Sequence, residues 1–169
     1  MRYNQHSFQK EMNQMEKKNL WNVYDTEQLR ELEKLNASYR AYLDNGKTER
    51  ESIKMSVEMA AKAGYRNLNE VILNDEKLKA GDRVYAVCMD KTIALFQIGQ
   101  EPFECGMNIL GAHVDSPRID VKQNPLYEAA EFAYLDTHYY GGVKKYQWVT
   151  LPLAIHGVVV KKDGTKVEM

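Results

Sequence analysis

The chain has 169 residues, of which 44% are hydrophobic and 28% are charged. This composition lies outside the range of disordered chains, and the length is sufficient to bury a core. The formal net charge is -1, so no overall field attracts nucleic acid or an anionic membrane. We therefore expect neither nucleic acid nor a membrane among the partners.

The sequence predicts a cytoplasmic protein. A membrane-spanning helix needs about 20 consecutive apolar residues, and no stretch of the sequence is close to that length. Residues 1–22 also lack the apolar core of a signal peptide. The two cysteines, Cys88 and Cys105, are too few for a disulfide scaffold and are not spaced as in a zinc knuckle. Both are expected to be free thiols.

A first helix is predicted from Asp25 to Leu43, because apolar side chains recur there every three or four positions. Asp25 and Gln28 have the spacing of a capping box at its start. Asn45-Gly46 is typical of a left-handed stop and predicts the end of this helix.

Two further helices follow. Thr48 and Glu51 predict a capping box for the second helix, and Gly64 predicts its end. A short third helix is predicted at about residues 67–74. The pattern then changes to strands, with a hairpin of residues 83–88 and 92–98.

Residues 107–114 form an apolar run without alternation, which predicts a strand covered on both faces of an α/β sheet. After Pro117 the strand-like stretches are residues 118–122, 132–139 and 154–160, and residues 165–169 begin a returning strand. We predict a domain boundary between residues 122 and 123, and the unfinished hairpin at the end predicts a truncated chain.

One group of residues stands out chemically, at the end of the predicted buried strand. His113 and Asp115 are two positions apart, so a strand would place both side chains on one face. Carboxyl ends of strands in open α/β sheets are also where ligands bind. The pair is either a metal ligand with its orienting carboxylate or an ordinary polar pair at a strand end.

One histidine cannot hold zinc alone, since zinc takes three or four protein ligands. Possible additional ligands are His138, His156, Asp120 and Cys105, although each also has a structural explanation. Gly141-Gly142 is interpreted as a turn. The basic and aromatic residues 144–148 are interpreted as an interface loop rather than a nucleic-acid site.

Two segments resemble the aspartyl aminopeptidase (aminopeptidase I) family of zinc metallopeptidases, especially its bacterial members. The first is Gly111-Ala112-His113-Val114-Asp115-Ser116-Pro117-Arg118, and the second contains Tyr139-Tyr140-Gly141-Gly142 and Lys145-Tyr146-Gln147-Trp148. The likeness extends from about Trp21 to the end of the chain. It implies an enzyme with two zinc ions that removes amino-terminal residues from peptides.

The resemblance also implies roles and architecture. His113 matches the family's first zinc ligand, and Asp115 matches the carboxylate that positions it and is counted as catalytic. The implied fold is α/β: residues 1–122 would be the amino-terminal part of the catalytic domain, and residues 123–169 the start of an inserted β-rich dimerisation domain. Family members assemble from dimers into large tetrahedral oligomers.

The remaining family ligands and the general base have no match in this chain, so the chain is expected to be inactive alone. His138 and His156 receive no transferred role. Two other hypotheses remain open. One is a non-haem Fe(II) oxygenase with His113, Asp115 and His156 as ligands. The other is a non-catalytic assembly module whose aromatic loop, residues 139–148, forms a dimer contact.

Overall fold

The computed structural model describes residues 19–169, and the chain divides into two compact units between Ala41 and Tyr42. The helices of the described part are α1 (Thr26–Asn45), α2 (Glu49–Lys62), α3 (Leu68–Leu73) and α4 (Lys145–Trp148). The strands are β1 (Arg66–Asn67), β2 (Arg83–Cys88), β3 (Thr92–Gln97), β4 (Arg118–Ala129), β5 (Phe132–Tyr140), β6 (Val158–Val160) and β7 (Lys166–Glu168). None of the described helices combines the length and apolar character needed to cross a membrane.

Helix α1 begins at the predicted capping box. The backbone N–H of Gln28 donates to Asp25 Oδ1 over 2.8 Å, and the backbone N–H of Asp25 donates to Gln28 Oε1 over 3.0 Å. The helix is confirmed, but none of its side chains is buried. Its apolar stripe is therefore correctly spaced and largely open to solvent.

The expected left-handed stop at Gly46 is wrong, because Gly46 is not among the residues with positive φ. The glycine is required for a different reason. A Cβ at this position would lie 2.8 Å from Ser52 Oγ and 3.1 Å from the carbonyl oxygen of Tyr42. Close approach of α2, rather than backbone conformation, explains the glycine.

Helix α2 has the predicted capping box: the N–H of Glu51 donates to Thr48 Oγ1, and the N–H of Thr48 donates to Glu51 Oε2 over 2.8 Å. It ends before Gly64, whose φ of 84° is in the left-handed region. The buried residues of the described part all lie in α2, α3 and β2, namely Ser52, Ile53, Ala60, Val71 and Val84.

The core packs against a mixed three-stranded sheet of order β1-β2-β3, in which β1 is parallel and β3 antiparallel to β2. The predicted hairpin is β2-β3, and its turn places Met89 and Asp90 at positive φ. Helices beside a mixed sheet make this an α/β arrangement, as predicted.

The predicted buried strand at residues 107–114 is wrong. These residues form no strand, and the exposed fractions are 65% for Met107, 79% for Ile109 and 100% for Leu110. A strand requires hydrogen-bonding neighbours, and no segment within residues 19–169 pairs with this run. Apolar composition alone therefore does not produce a strand here.

Strand β4 is longer than predicted and pairs antiparallel with β5, with a register shift between Val121 and Leu126. The shift lies beside the proposed domain boundary at residues 122 and 123, which stays a prediction. The returning strand near the end is confirmed as β7, which pairs with β6. Strand β6 begins at Val158, four residues later than expected.

Candidate functional site

His113 lies in the irregular segment before β4, and its side chain is 83% exposed. Its Nδ1 is 3.1 Å from Asp115 Oδ1 and 3.0 Å from the backbone oxygen of Asp115. Because Nδ1 faces two acceptors, the neutral ring is assigned its proton on Nδ1. This tautomer leaves the lone pair of Nε2 available for a metal ion.

Asp115 is held at both carboxylate oxygens. Its Oδ2 accepts a hydrogen bond from the Tyr140 hydroxyl over 2.8 Å, and its Oδ1 faces His113. The hydrogen bond from Tyr140 is the main cause that lowers the pKa of Asp115, and the same bond raises the pKa of Tyr140. Asp115 is therefore a carboxylate, and Tyr140 a neutral donor, at neutral pH.

Arg118 contacts the Tyr140 ring, and its guanidinium carbon is 4.3 Å from the ring centroid. Its Nε donates to Asp120 Oδ1 over 2.7 Å, and its Nη1 is 3.1 Å from Glu49 Oε1. Nη1 is buried and has no acceptor in hydrogen-bond geometry within residues 19–169, so the pairing with Glu49 is electrostatic. Partial burial opposes the charge, but Asp120 and Glu49 outweigh it and raise the pKa of Arg118.

The local backbone explains how these side chains meet. Arg118 and Tyr140 are paired positions of β4 and β5, at the end of the hairpin next to Pro117. Gly141 follows with a φ of 73°, and a Cβ there would lie 3.3 Å from Pro117 Cα. A glycine is thus required where the end of β5 closes onto the His113 segment.

The other candidate ligands do not join His113. Nδ1 of His138 is 3.1 Å from the carbonyl oxygen of Tyr139, Asp120 pairs with Arg118, and Cys105 is an exposed free thiol. Within the part of the chain that is described, no group of three or more His, Cys, Asp or Glu side chains could hold a metal ion.

The hypothesis of an iron site formed by His113, Asp115 and His156 is therefore wrong for this structure. His156 lies outside any strand, and its Nδ1 is 2.9 Å from Glu51 Oε1 at the start of α2. His113 and Asp115 fit one ligand of a zinc site with its orienting carboxylate. Zinc needs two or three further protein ligands, so the pair by itself does not form a zinc site.

Sequence reasoning assigned no role to Tyr140, Arg118 and Glu49. Tyr140 and Arg118 pair only through the register of β4 and β5, and the two-residue turn of that hairpin is Ala130-Glu131. The sequence signal that usually predicts a turn of this kind is Asn-Gly or Asp-Gly. The sequence feature that could have drawn attention to Tyr140 was Gly141-Gly142, which follows it directly.

Comparison with solved structures defines the class of protein. The chain resembles aminopeptidase I from Borrelia burgdorferi B31 with a TM-score of 0.83 and 39% identity, over 90% of this chain and 37% of that one. It resembles aminopeptidase I from Clostridium acetobutylicum with a TM-score of 0.76 and 52% identity, over 90% of this chain and 33% of that one. The fold is thus a portion of an aminopeptidase fold.

The family follows from the sequence itself. Residues 42–169 match the family model of the aminopeptidase I zinc metalloproteases (M18), and the chain belongs to this family. It is 54% identical over 154 residues to a probable M18 family aminopeptidase 1 of Clostridium acetobutylicum, covering 91% of this chain and 33% of the relative. The chain therefore spans about a third of the length of such relatives.

Proposed function

We propose that this chain supplies one zinc ligand and its orienting carboxylate to a two-zinc aminopeptidase, and that it is inactive alone. The observation that carries the proposal is the His113 imidazole, whose side chain is 83% exposed and whose Nδ1 is 3.1 Å from Asp115 Oδ1. Membership of a zinc metalloprotease family supports it. The further ligands and the general base would come from residues outside those described.

Within such a site each residue has a distinct task. His113 Nε2 would bind the metal, and Asp115 would fix the Nδ1–H tautomer, orient the ring and increase its basicity. When bound, zinc supplies the Lewis acidity needed to hydrolyse a peptide bond. Asp115 is thus a positioning group that acts on the reaction through His113.

The proposed substrates are peptides, from which amino-terminal residues are removed, and the proposed location is the cytoplasm. Two exposed free cysteines agree with a reducing compartment. We also propose self-association through residues 123–169, as a dimer and in a larger tetrahedral oligomer. Exposed aromatic side chains on the β4-β5 hairpin, Tyr127 and Phe132 among them, support this proposal.

The test uses a protein of the relatives' full length that contains this chain, called here the completed enzyme. His113→Ala should reduce zinc-dependent release of amino-terminal residues at least about 1000-fold, since loss of a ligand removes the metal. His138→Ala is the control, because within residues 19–169 the His138 ring pairs with the backbone oxygen of the neighbouring Tyr139 and not with His113 or Asp115. Undiminished turnover by the His113→Ala enzyme would refute the assignment.

A further inference from the structure

We propose that Tyr140 and Arg118 are positioning residues that hold the Asp115 carboxylate, and through it the His113 ring, in the orientation needed to bind a metal ion. The proposal rests on the function proposed above. In this proposal, contacts from the strand pair β4-β5 and from the first turn of α2 orient the candidate ligand His113.

The first step is the hydrogen bond from Tyr140 to Asp115. The Asp115 side chain is 34% exposed, so water can compete for a carboxylate that is not anchored. The Tyr140 hydroxyl donates to Oδ2 over 2.8 Å, which leaves Oδ1 directed at Nδ1 of His113. Without the hydroxyl, the carboxylate can rotate, and only the backbone oxygen of Asp115 still faces Nδ1.

The second step is the support of the Tyr140 ring by Arg118. The guanidinium lies over the ring at 4.3 Å and is itself bound on two sides, by Asp120 on β4 and by Glu49 in α2. Its side chain is 26% exposed, so it is fixed more firmly than a typical surface arginine. A planar guanidinium stacks on an aromatic ring and binds carboxylates at once, which a lysine cannot do.

The third step is the consequence for the metal site. Groups that orient a ligand change metal affinity typically 10-fold to 100-fold when removed. Tyr140 acts one contact further away, on the carboxylate, and Arg118 acts through the Tyr140 ring, so we expect effects at the low end of that range. Their loss should alter the tautomer of His113 before it alters the fold, since both side chains belong to a hairpin that remains paired.

The test begins with the 169-residue chain and needs no metal. Nitrogen-15 NMR of the imidazole reports which ring nitrogen of His113 carries the proton. The wild-type chain should show mainly the Nδ1–H tautomer, and Tyr140→Phe should shift the population toward Nε2–H. Tyr139→Phe is the matched control, because that neighbouring ring contacts Lys145 and its hydroxyl makes no hydrogen bond within residues 19–169.

The second measurement is zinc affinity of the completed enzyme, determined by competition with a chelator. Tyr140→Phe should weaken binding about 10-fold. Arg118→Lys should weaken it in the same direction although it keeps the charge, and Tyr139→Phe should leave it unchanged. Unaltered tautomer and zinc affinity in Tyr140→Phe would overturn the inference.

The two proposals fail in different ways. If His113→Ala leaves peptidase activity intact, the proposed function is wrong whatever the NMR of Tyr140→Phe shows. If His113→Ala abolishes activity but Tyr140→Phe matches wild type in both measurements, the function stands and the positioning role is refuted.

Discussion

Glu51 shows how one side chain serves two purposes. It completes the capping box of α2 through Thr48, and its Oε1 is 2.9 Å from Nδ1 of His156. Partial burial works against the charged form, but the contact with His156 and the hydrogen bonds with Thr48 outweigh it and lower the pKa of Glu51 below its ordinary value of 4.5. The charged carboxylate therefore favours the folded chain.

The sign of the resulting pH dependence follows directly. A carboxyl group with a lower pKa in the folded state stabilises the fold above its unfolded pKa, and this contribution is lost as the pH falls through the folded pKa. Glu51→Gln should lower the free energy of unfolding by up to about 1 kcal/mol at pH 7. The difference from wild type should disappear on acidification below 4.5.

Urea unfolding followed by circular dichroism from pH 7 to pH 3 checks this prediction. Glu58→Gln is the control on the same helix, since Glu58 is exposed and forms no ion pair among residues 19–169. A constant difference between Glu51→Gln and wild type at every pH would show that the charge of Glu51 does not matter.

At the scale of elements, the hairpin β4-β5 is closed by an unfavourable turn. Ala130 and Glu131 have φ values of 51° and 66°, in the left-handed region that costs about 1–2 kcal/mol for each ordinary residue. Pairing of Ala129 with Phe132 nevertheless fixes this two-residue turn. The strand pairs therefore override the local preference of the turn.

Replacing the turn by Asn-Gly, with Ala130→Asn and Glu131→Gly together, should stabilise the hairpin by about 1–2 kcal/mol. The midpoint of urea unfolding measured by circular dichroism should rise. The same two residue types at Glu128 and Ala129, which lie in β4, provide the control and should destabilise the hairpin. A lowered midpoint for the turn variant would contradict the left-handed geometry.

At the scale of the whole molecule, the run before His113 exposes large apolar side chains among the described residues. Leu110 is fully exposed and Ile109 is 79% exposed, whereas the buried core of the described residues is confined to α2, α3 and β2. Relatives are about three times as long as this chain. We expect the rest of such a protein to cover this run.

Leu110→Glu tests this expectation. In the 169-residue chain the urea midpoint should not change, because the side chain is 100% exposed. In the completed enzyme the same substitution should cost at least about 2 kcal/mol, because it would bury an unpaired charge. Thermal and urea unfolding of both proteins give the measurement.

Met89→Glu is the comparison, since Met89 is 82% exposed at the tip of the β2-β3 hairpin. It should be tolerated in both proteins. Equal tolerance of Leu110→Glu in the completed enzyme would show that the run before His113 stays at the surface there as well.

Signals within a few residues of one another were enough to predict much of the fold. Asp25 with Gln28, and Thr48 with Glu51, identified the starts of two helices, because a capping box needs only residues three positions apart. The β2-β3 hairpin was predicted for the same reason. The sequence also predicted that His113 and Asp115 form a pair. The strand that it predicted for these two residues is absent.

By itself, then, the sequence determined the helices of the first half, the β2-β3 hairpin, the family resemblance and the pairing of one imidazole with the acid two positions later. Only the tertiary structure decided that Tyr140 contacts that acid, that Arg118 contacts Tyr140, and that Glu49 pairs with Arg118. Their contacts join positions up to about 70 residues apart, and strand register and close packing, rather than local spacing, bring such positions together.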